Sequence, residues 1–311
     1  MLNKIKSIKV IYYHHSSNFD WLYGNYTFFK AIYNAFQNSK YFVSIIPFEN
    51  NYLFRKWGIR SIFINDFISF NFSSVIPSEL STNNILMVGR GYAKKKRFFI
   101  GIQAMEYIKK EISFSQLYII SNLTGINHLK NLANNLNLKD NIKFIGYTSN
   151  PETFFKNASL NFFPSISESF GLVLCETKLY GIPNILIGLD YLSISKGGTI
   201  IIYDDSSESF ARESIKILKN FQNKKIYSKE ARKDIKKFNN EIILNKWLKL
   251  ILSVFNGDIY YEDLLKKDIF DVKGNIDIAN NQIILLKKRI IKFAKITIND
   301  YENITFMKNF N

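Results

Sequence analysis

The stretch Phe163–Pro183, FPSISESFGLVLCETKLYGIP, decides how the rest of the chain is interpreted. The apolar run at its start, residues 160–163, predicts a buried strand. The segment after Gly171 predicts a helix that ends at Gly181, with Pro183 just beyond. A helix N-terminus presents free backbone N–H groups and the positive end of a dipole. We therefore expect the loop between strand and helix to bind a phosphorylated ligand.

The same stretch contains two glutamates, Glu168 and Glu176, with seven residues between them. Their spacing alone is weak evidence, because carboxylates are favoured near helix starts and solvated glutamates are common on helices. Their combination with Phe-Pro-Ser before, Phe170-Gly171 between and Gly-Ile-Pro after is more specific. The pattern therefore indicates a functional loop rather than an ordinary surface turn.

Length and composition indicate a folded protein with room for two ordinary domains, since the chain has 311 residues and 47% apolar content. The single cysteine, Cys175, excludes an intramolecular disulfide and is expected in the core. The N-terminus is a poor signal peptide, and no stretch approaches the ~20 uncharged apolar residues that span a bilayer. These features predict a cytoplasmic protein, soluble or peripheral on the membrane.

The net charge of +16 suits nucleic acid, an anionic membrane surface or anionic small molecules, and a compositionally biased genome explains it equally well. Lys and Arg are spread along the chain without a nucleic-acid-binding motif, which argues against specific nucleic-acid recognition. Residues 283–296 are amphipathic at helical spacing, with Lys288, Lys292 and Lys295 on one face. Such a helix either packs on its own domain or makes peripheral contact with an anionic membrane.

A regular alternation of strands and helices begins at residue 85. Strands are predicted at residues 85–88, 117–121, 142–145, 160–163, 184–187 and 199–202. Helices are predicted at residues 97–110, 125–136, 151–156, 172–180 and 207–219, and further basic helices at 229–238 and 241–255. The alternation predicts an α/β, Rossmann-like doubly wound parallel sheet, whose ligands bind at the carboxyl ends of the strands.

The front of the chain predicts a smaller, incomplete α/β domain. Its strands are expected at residues 8–13, 41–47 and 61–64, and its helices at 26–36 and 49–57. A segment without clear periodicity, residues 65–84, is the predicted linker. We therefore divide the chain into a partial α/β part with linker (1–80), a ligand-binding domain (81–255) and a helical tail (256–311).

The loop after residue 88, Gly-Arg-Gly-Tyr-Ala-Lys-Lys-Lys-Arg, is the second candidate element. Gly89 and Gly91 allow a tight turn, and Arg90 between them offers a planar fork suited to phosphate oxygens. Lys95 or Lys96 adds a compact charge where the next helix starts. A Lys run alone is more often a solvated turn, but Arg90 at the end of a strand is less easily explained that way.

Together these two elements resemble the donor-binding domain of retaining glycosyltransferases of family 4, whose signature is Pro-Ser, Glu-x-Phe-Gly, an E-x7-E motif and Gly-x-Pro. The matching positions here are Pro164, Ser165, Glu168, Phe170, Gly171, Glu176, Gly181 and Pro183. The family's Gly-Arg and following Lys match Gly89, Arg90 and Lys96, with Lys95 as the alternative for the last. The resemblance covers about residues 85–219.

The resemblance implies a GT-B architecture, with a nucleotide-diphosphate sugar held by the second of two Rossmann-like domains. By that resemblance Arg90 and Lys96 neutralise the diphosphate, Glu176 accepts hydrogen bonds from the ribose, and Glu168 holds the sugar. The implied catalytic residues are Glu168, Arg90 and Lys96, and the implied donor-binding residues are Gly89, Lys95, Ser167, Phe170, Gly171, Leu172 and Glu176. Since no Asp-x-Asp signature is present, we expect neither a metal nor any cofactor besides the nucleotide-sugar substrate.

The front part departs from the family pattern, because about eighty residues are fewer than the ~100–150 of a usual Rossmann-like domain. The strand ending at His14 and His15 resembles one that ends in a family histidine, so His15, or less readily His14, is a candidate sugar or acceptor contact. An ordinary surface or core histidine is the alternative. The segment 188–198 also differs from the family's glycine-rich turn, which leaves the donor sugar open.

The resemblance thus implies a retaining, metal-independent, hexosyltransferase-type glycosyltransferase that uses a glycan or lipid-linked acceptor. The short front part motivates an alternative, a nucleotide-sugar-binding module or one half of a two-chain enzyme. A retaining glycosidase built on Glu168 and Glu176 ranks last, because it gives Arg90 no role.

Overall fold

The computed structural model of the chain describes residues 9–15, 34–47, 58–68, 72, 74–91 and 93–256. These belong to two compact units, one formed by residues up to Asp66 together with those from Ile243 onward, the other by Phe67–Ile242. The predicted helices at 49–57 and 283–296 lie outside the described residues, as does most of the predicted helix at 26–36. The functional division into 1–80, 81–255 and 256–311 stays a prediction.

The strands and helices from residue 84 onward agree closely with those predicted from the sequence. The strands are β1 (Ile11–His14), β2 (Tyr41–Ser44), β3 (Ile62–Phe63), β4 (Asn84–Val88), β5 (Gln116–Ile120), β6 (Ile142–Phe144), β7 (Leu160–Phe163), β8 (Asn184–Ile187) and β9 (Thr199–Ile202). The helices are α1 (Phe98–Glu111), α2 (Asn127–Asn135), α3 (Glu152–Lys156), α4 (Leu172–Leu179), α5 (Ser207–Leu218), α6 (Phe221–Ile235) and α7 (Asn240–Asn256). Predicted strands β4 to β9 are confirmed to within one residue at each end.

One helix start differs clearly from its prediction. Helix α6 begins at Phe221, well before the predicted residue 229, because Asn220 caps it by accepting a hydrogen bond from the Asn223 N–H. The mixed polar and apolar sequence there has no clear period. Between β8 and β9, where no helix was predicted, the chain makes a single 3-10 turn, Ser193–Ser195.

The second unit is built on a six-stranded sheet in the order β6-β5-β4-β7-β8-β9, with every neighbouring pair parallel. The predicted doubly wound parallel sheet is therefore confirmed. Its inner strands are mostly apolar because parallel strands are covered by helices on both faces, and the buried Asn161 of β7 donates a hydrogen bond to Asn184 Oδ1 of β8. Ile85, Met87 and Phe162 lie in one core with residues of α1, α2 and α5.

A buried ion pair joins helix α4, which contains Glu176, to helix α6 of the same unit. Lys178 of α4 lies 2.8 Å from Asp234 of α6, and its side chain is 0% exposed while that of Asp234 is 4% exposed. Lys178 also donates a hydrogen bond to the Ile194 carbonyl. Cys175 of the same helix is buried, as predicted.

The first unit contains the parallel sheet β1-β2-β3. Helix α7 packs on it through Ile243, Leu250 and Val254, which share a core with β2 and β3. None of the described helices is both long and apolar enough to cross a membrane.

Candidate active site

The strand order places the two sequence elements side by side. From the neighbouring strands β4 and β7 the sheet continues in opposite directions, so a crevice opens beyond their carboxyl ends, where ligands of such sheets bind. The Gly89–Lys96 segment follows β4, and the Pro164–Gly171 loop follows β7. Both motifs found in the sequence therefore lie at this crevice.

The glycines after β4 bring the backbone close to its neighbours. The Gly91 N–H donates a hydrogen bond of 2.8 Å to Ser121 Oγ, and a Cβ at Gly91 would come within 3.0 Å of that oxygen. Gly89 has φ 146°, which L side chains rarely adopt. Arg90 between them is exposed, and its side chain makes no hydrogen bond or ion pair within the described part of the chain. Its guanidinium donors are therefore available to a ligand.

The two loops are joined by a Lys–Glu pair. The Lys96 ammonium contacts the Glu168 carboxylate, and each side chain is only 13% exposed. The Lys96 ammonium also lies 5.5 Å from the centre of the Phe163 ring. The Ile166 N–H donates to the Lys95 carbonyl at 2.8 Å, so backbone contact reinforces the pair. Of the two candidate lysines, the structure brings Lys96 to Glu168.

The backbone of Glu168 is held from the segment that follows β8. Its N–H donates to the Tyr191 hydroxyl at 2.9 Å, and the same hydroxyl donates to the Glu168 carbonyl at 2.8 Å. Tyr191 is buried. Sequence reasoning missed this residue, since its only signal was the departure of residues 188–198 from the family pattern.

Helix α4 starts at this crevice. Gly171 precedes it with φ 92° and ψ 62°, in the left-handed region that favours glycine. The Leu174 N–H donates to the Gly171 carbonyl at 2.9 Å, which leaves the N–H groups of Leu172 and Val173 without an acceptor in the helix. Most of the helix is buried, which leaves Leu172, Val173 and Glu176 as its accessible face. The start of α4 can therefore present N–H donors to an anion.

Glu176 lies on that accessible face, one turn into α4. Burial raises the pKa of its carboxyl, and its carboxylate has no hydrogen-bond partner among the described residues. It is therefore available to accept hydrogen bonds from hydroxyl groups. Ser167 and Phe170, also predicted as donor contacts, have buried side chains, and Phe170 packs 5.5 Å from the ring of Phe238. Only their backbone groups are suited to a ligand.

Arg97 is the second residue that sequence reasoning missed. It was predicted only as the first residue of a helix, yet it precedes α1 with its side chain buried. Its Nε donates to the Pro164 carbonyl at 2.8 Å, and its Nη1 donates to Asp205 Oδ1 at 2.6 Å. No local sequence signal links Arg97 to Asp205, because 108 positions separate them.

His15 lies in the first unit. Its side chain is 59% exposed, with Nδ1 3.4 Å from Asp66 Oδ1, and its ring is 3.9 Å from that of Tyr13. His14 is buried against Phe36, and burial lowers its pKa to about 4. His15 is thus the accessible one of the two candidates.

Within the described ranges, no three or more His, Cys, Asp or Glu side chains are arranged to hold a metal ion. Metal independence stays a prediction.

Two curated proteins share modest sequence identity with the chain. An uncharacterized glycosyltransferase of Haemophilus influenzae is 26% identical over 106 residues, which are 34% of this chain and 30% of that protein. A poly(glycerol-phosphate) alpha-glucosyltransferase of Bacillus subtilis is 27% identical over 127 residues, 41% of this chain and 18% of that protein. The chain therefore matches less than a third of the length of either relative.

Among solved structures, TarM superposes with a TM-score of 0.68 at 18% identity, covering 79% of this chain and 50% of TarM. A point mutant of TarM from S. aureus, crystallised with fondaparinux, alpha-GlcNAc-glycerol and UDP, gives a TM-score of 0.64 at 20% identity. It covers 76% of this chain and 48% of that protein. This likeness shows the fold, which is the α/β architecture of the GT-B glycosyltransferases, as the sequence predicted.

The family model described as glycosyl transferases group 1 matches residues 71–234, which include both loops of the candidate site. The match spans more than half of the 311-residue chain. The chain therefore belongs to the group 1 glycosyl transferases.

Proposed function

We propose that the chain is a retaining glycosyltransferase of the family 4 type that transfers a hexose from a nucleotide-diphosphate sugar to a glycan or lipid-linked acceptor. The observation that carries the proposal is the grouping of Arg90, the Lys96–Glu168 pair and the start of α4 at one crevice. The UDP-bound TarM mutant supports a nucleotide donor.

Each group has a role that its chemistry suits. Arg90 and Lys96 bind the diphosphate, together with the N–H groups at the start of α4. Glu176 accepts hydrogen bonds from the ribose hydroxyls, and Glu168, held by Tyr191, accepts them from the donor sugar. These two glutamates with seven residues between them are the proposed E-x7-E motif.

In the proposed reaction, the bond from the sugar C1 to the diphosphate oxygen breaks, and its electron pair goes to the diphosphate. The acceptor oxygen forms the new bond to C1 on the same face, and its proton passes to the departing phosphate oxygen. Negative charge therefore builds on the diphosphate as the bond breaks. Cations and helix N–H groups stabilise such charge without a metal, so we propose metal-independent transfer.

The test is nucleotide binding. UDP, GDP and ADP, each alone and as nucleotide sugars, are added with EDTA present, and the melting temperature is recorded. We expect the nucleotides of one of the three bases to raise the melting temperature of the wild type, and we expect Glu176→Ala to lose that increase. Absence of stabilisation by every nucleotide, with Glu176→Ala identical to wild type, would contradict the proposal.

A second candidate function is nucleotide-sugar binding without transfer, as in one half of a two-chain enzyme. It is favoured by the match to only half of TarM. A donor that binds but undergoes neither transfer to membrane or glycan extracts nor slow hydrolysis would favour this candidate. Transfer by the purified chain would exclude it.

A further inference from the structure

Arg97 connects the two loops of the candidate site, although its own side chain is buried away from solvent. It has φ 47° and ψ 42°, so a residue other than glycine adopts the left-handed conformation directly after Lys96. Such a conformation is unfavourable for a long side chain and persists where the surroundings impose it. The contacts of the side chain therefore hold the backbone at this point.

Those contacts run in two directions. Nε donates to the Pro164 carbonyl in the loop after β7, and Nη1 donates to Asp205 just before α5. A guanidinium can donate along two directions at once because its N–H groups are fixed in a plane, which a lysine ammonium on a flexible stem does not reproduce. Arg97 thus ties the segment that carries Lys96 to the loop that carries Glu168.

We propose that Arg97 is a positioning residue that sets the direction of Lys96 and holds the Glu168 loop against it. The inference rests on the proposed function, in which Lys96 and Glu168 contact the donor. Asp205 supports this role by neutralising the buried guanidinium at 2.6 Å.

The test compares Arg97→Gly, which accommodates the left-handed backbone but removes the contacts, with Asn137→Gly. Asn137 also has a positive φ, 55°, lies in the same unit and is exposed. Asp205→Asn, which removes only the charge, is the second variant. Hydrogen exchange and affinity for the stabilising nucleotide are measured for each.

In Arg97→Gly we expect faster exchange of the Ile166 amide, which donates to the Lys95 carbonyl, and at least tenfold weaker nucleotide binding. Lys96→Ala should weaken binding in the wild type but add little in the Arg97→Gly background. Asn137→Gly should change neither. Unchanged exchange in residues 89–97 and 164–168 would overturn the positioning role even if nucleotide binds, whereas failure of the wild type to bind any nucleotide refutes the proposed function itself.

A separate observation concerns helix α7. Of sixteen large apolar side chains exposed among the described residues, six lie on this helix. Five of them form one stripe at helical spacing, each 48–79% exposed: Leu244, Leu248, Ile251, Leu252 and Phe255. A different face of the helix, with Ile243, Leu250 and Val254, packs on the first unit's sheet. Contiguous exposed apolar surface of this kind marks an interaction site rather than scattered surface residues.

The net positive charge of the described part of the first unit favours an anionic membrane as the partner of the stripe. The described residues of the first unit carry five basic side chains and one acidic side chain: Lys9, Lys40, Arg60, Lys246, Lys249 and Asp66. Apolar residues on one face and lysines beside it are the features of a helix that lies in the interface of an anionic bilayer. We propose that the α7 stripe docks the protein on an anionic membrane surface.

Vesicle co-sedimentation of the full chain tests this surface. Vesicles of phosphatidylcholine alone are compared with vesicles in which about a third of the lipid is phosphatidylglycerol, at low and high salt. The variant is Leu248→Asp with Leu252→Asp, and Phe114→Asp is the matched control, because Phe114 is an isolated apolar residue, 89% exposed.

We expect binding to anionic vesicles that weakens with salt, is lost in the double variant and is kept in the Phe114 control. Equal pelleting of the double variant would overturn the proposal. A wild type that does not bind anionic vesicles would also overturn it. The same holds for a double variant whose melting temperature falls by several degrees or whose oligomeric state changes. Those last results would mean that another part of the chain or a second copy covers the stripe.

Discussion

The buried Lys178–Asp234 pair gives a stability prediction that the structure makes quantitative. Asp234 is replaced by Ala, which leaves the fully buried Lys178 ammonium with the Ile194 carbonyl as its remaining contact among those described above. The converse change, Lys178→Met, is milder because Asp234 keeps the Lys237 ammonium at 2.8 Å. The two single variants should therefore lose unequal amounts of the free energy of unfolding, although they remove the same ion pair.

The magnitudes follow from desolvation. Removing one partner of a buried ion pair costs about 3–5 kcal/mol, because the other charge stays buried without compensation. We expect Asp234→Ala near this range and Lys178→Met at about 1–3 kcal/mol. An apolar replacement of both residues should be closer to wild type than Asp234→Ala. At about 2–4 °C per kcal/mol for a unit of this size, Asp234→Ala should melt roughly 10 °C lower.

The pH dependence has a definite sign. Burial lowers the pKa of Lys178, while the attraction of Asp234 opposes that shift. Without Asp234 the folded-state pKa drops further below the ordinary lysine value of 10.5, so the unfolded state binds more protons than the folded state. The destabilisation by Asp234→Ala is therefore largest below the folded-state pKa and shrinks as the pH rises from there toward 10.5.

The assay is urea unfolding followed by far-UV circular dichroism at about pH 7 and about pH 9.5, because the destabilisation should be smaller at the higher pH. Tryptophan fluorescence is unsuitable, because Trp21, Trp57 and Trp247 all lie outside the Phe67–Ile242 unit. A loss below about 1 kcal/mol for Asp234→Ala, or equal losses for both single variants, would refute the reasoning.

Three further predictions concern the candidate site and the first unit. Arg90→Ala should weaken nucleotide binding about tenfold or more without changing the melting temperature, because the exposed guanidinium has no hydrogen bond or ion pair to lose among the described residues; calorimetric titration and thermal melts check this. Glu176→Gln should melt like wild type near pH 4 and above it at about pH 7.5, because a carboxyl whose folded pKa is raised loses relative stability as the pH rises through that pKa. Equal melting temperatures at both pH values would contradict the burial of the carboxylate. The pKa of His14 is lowered from 6.5 to about 4, so the wild type should lose stability as the pH falls through this range, and His14→Phe should lose less in acid titrations followed by Trp247 fluorescence.

Much of the second unit follows directly from local sequence. Apolar runs such as residues 184–187 are punctuated by glycine and proline, as at Gly181 and Pro183, so strand and helix ends are encoded within a few residues. The ends of helices and strands that lack such signals were harder to predict. The start of α6 at Phe221 is one example, because a side-chain cap rather than an apolar period marks it.

The sequence by itself determined the series of strands and helices, the position of Arg90 and Glu168 in two loops and of Glu176 on the helix after the second loop, and the expectation that these loops meet at strand ends. Only the tertiary structure decided that β4 and β7 are neighbours and that Lys96 rather than Lys95 meets Glu168. It also supplied Tyr191 and the Arg97–Asp205 contact. The physical reason is range: periodicity and turn chemistry act over a few residues, whereas these contacts join segments that are distant in sequence and meet only when the sheet is assembled.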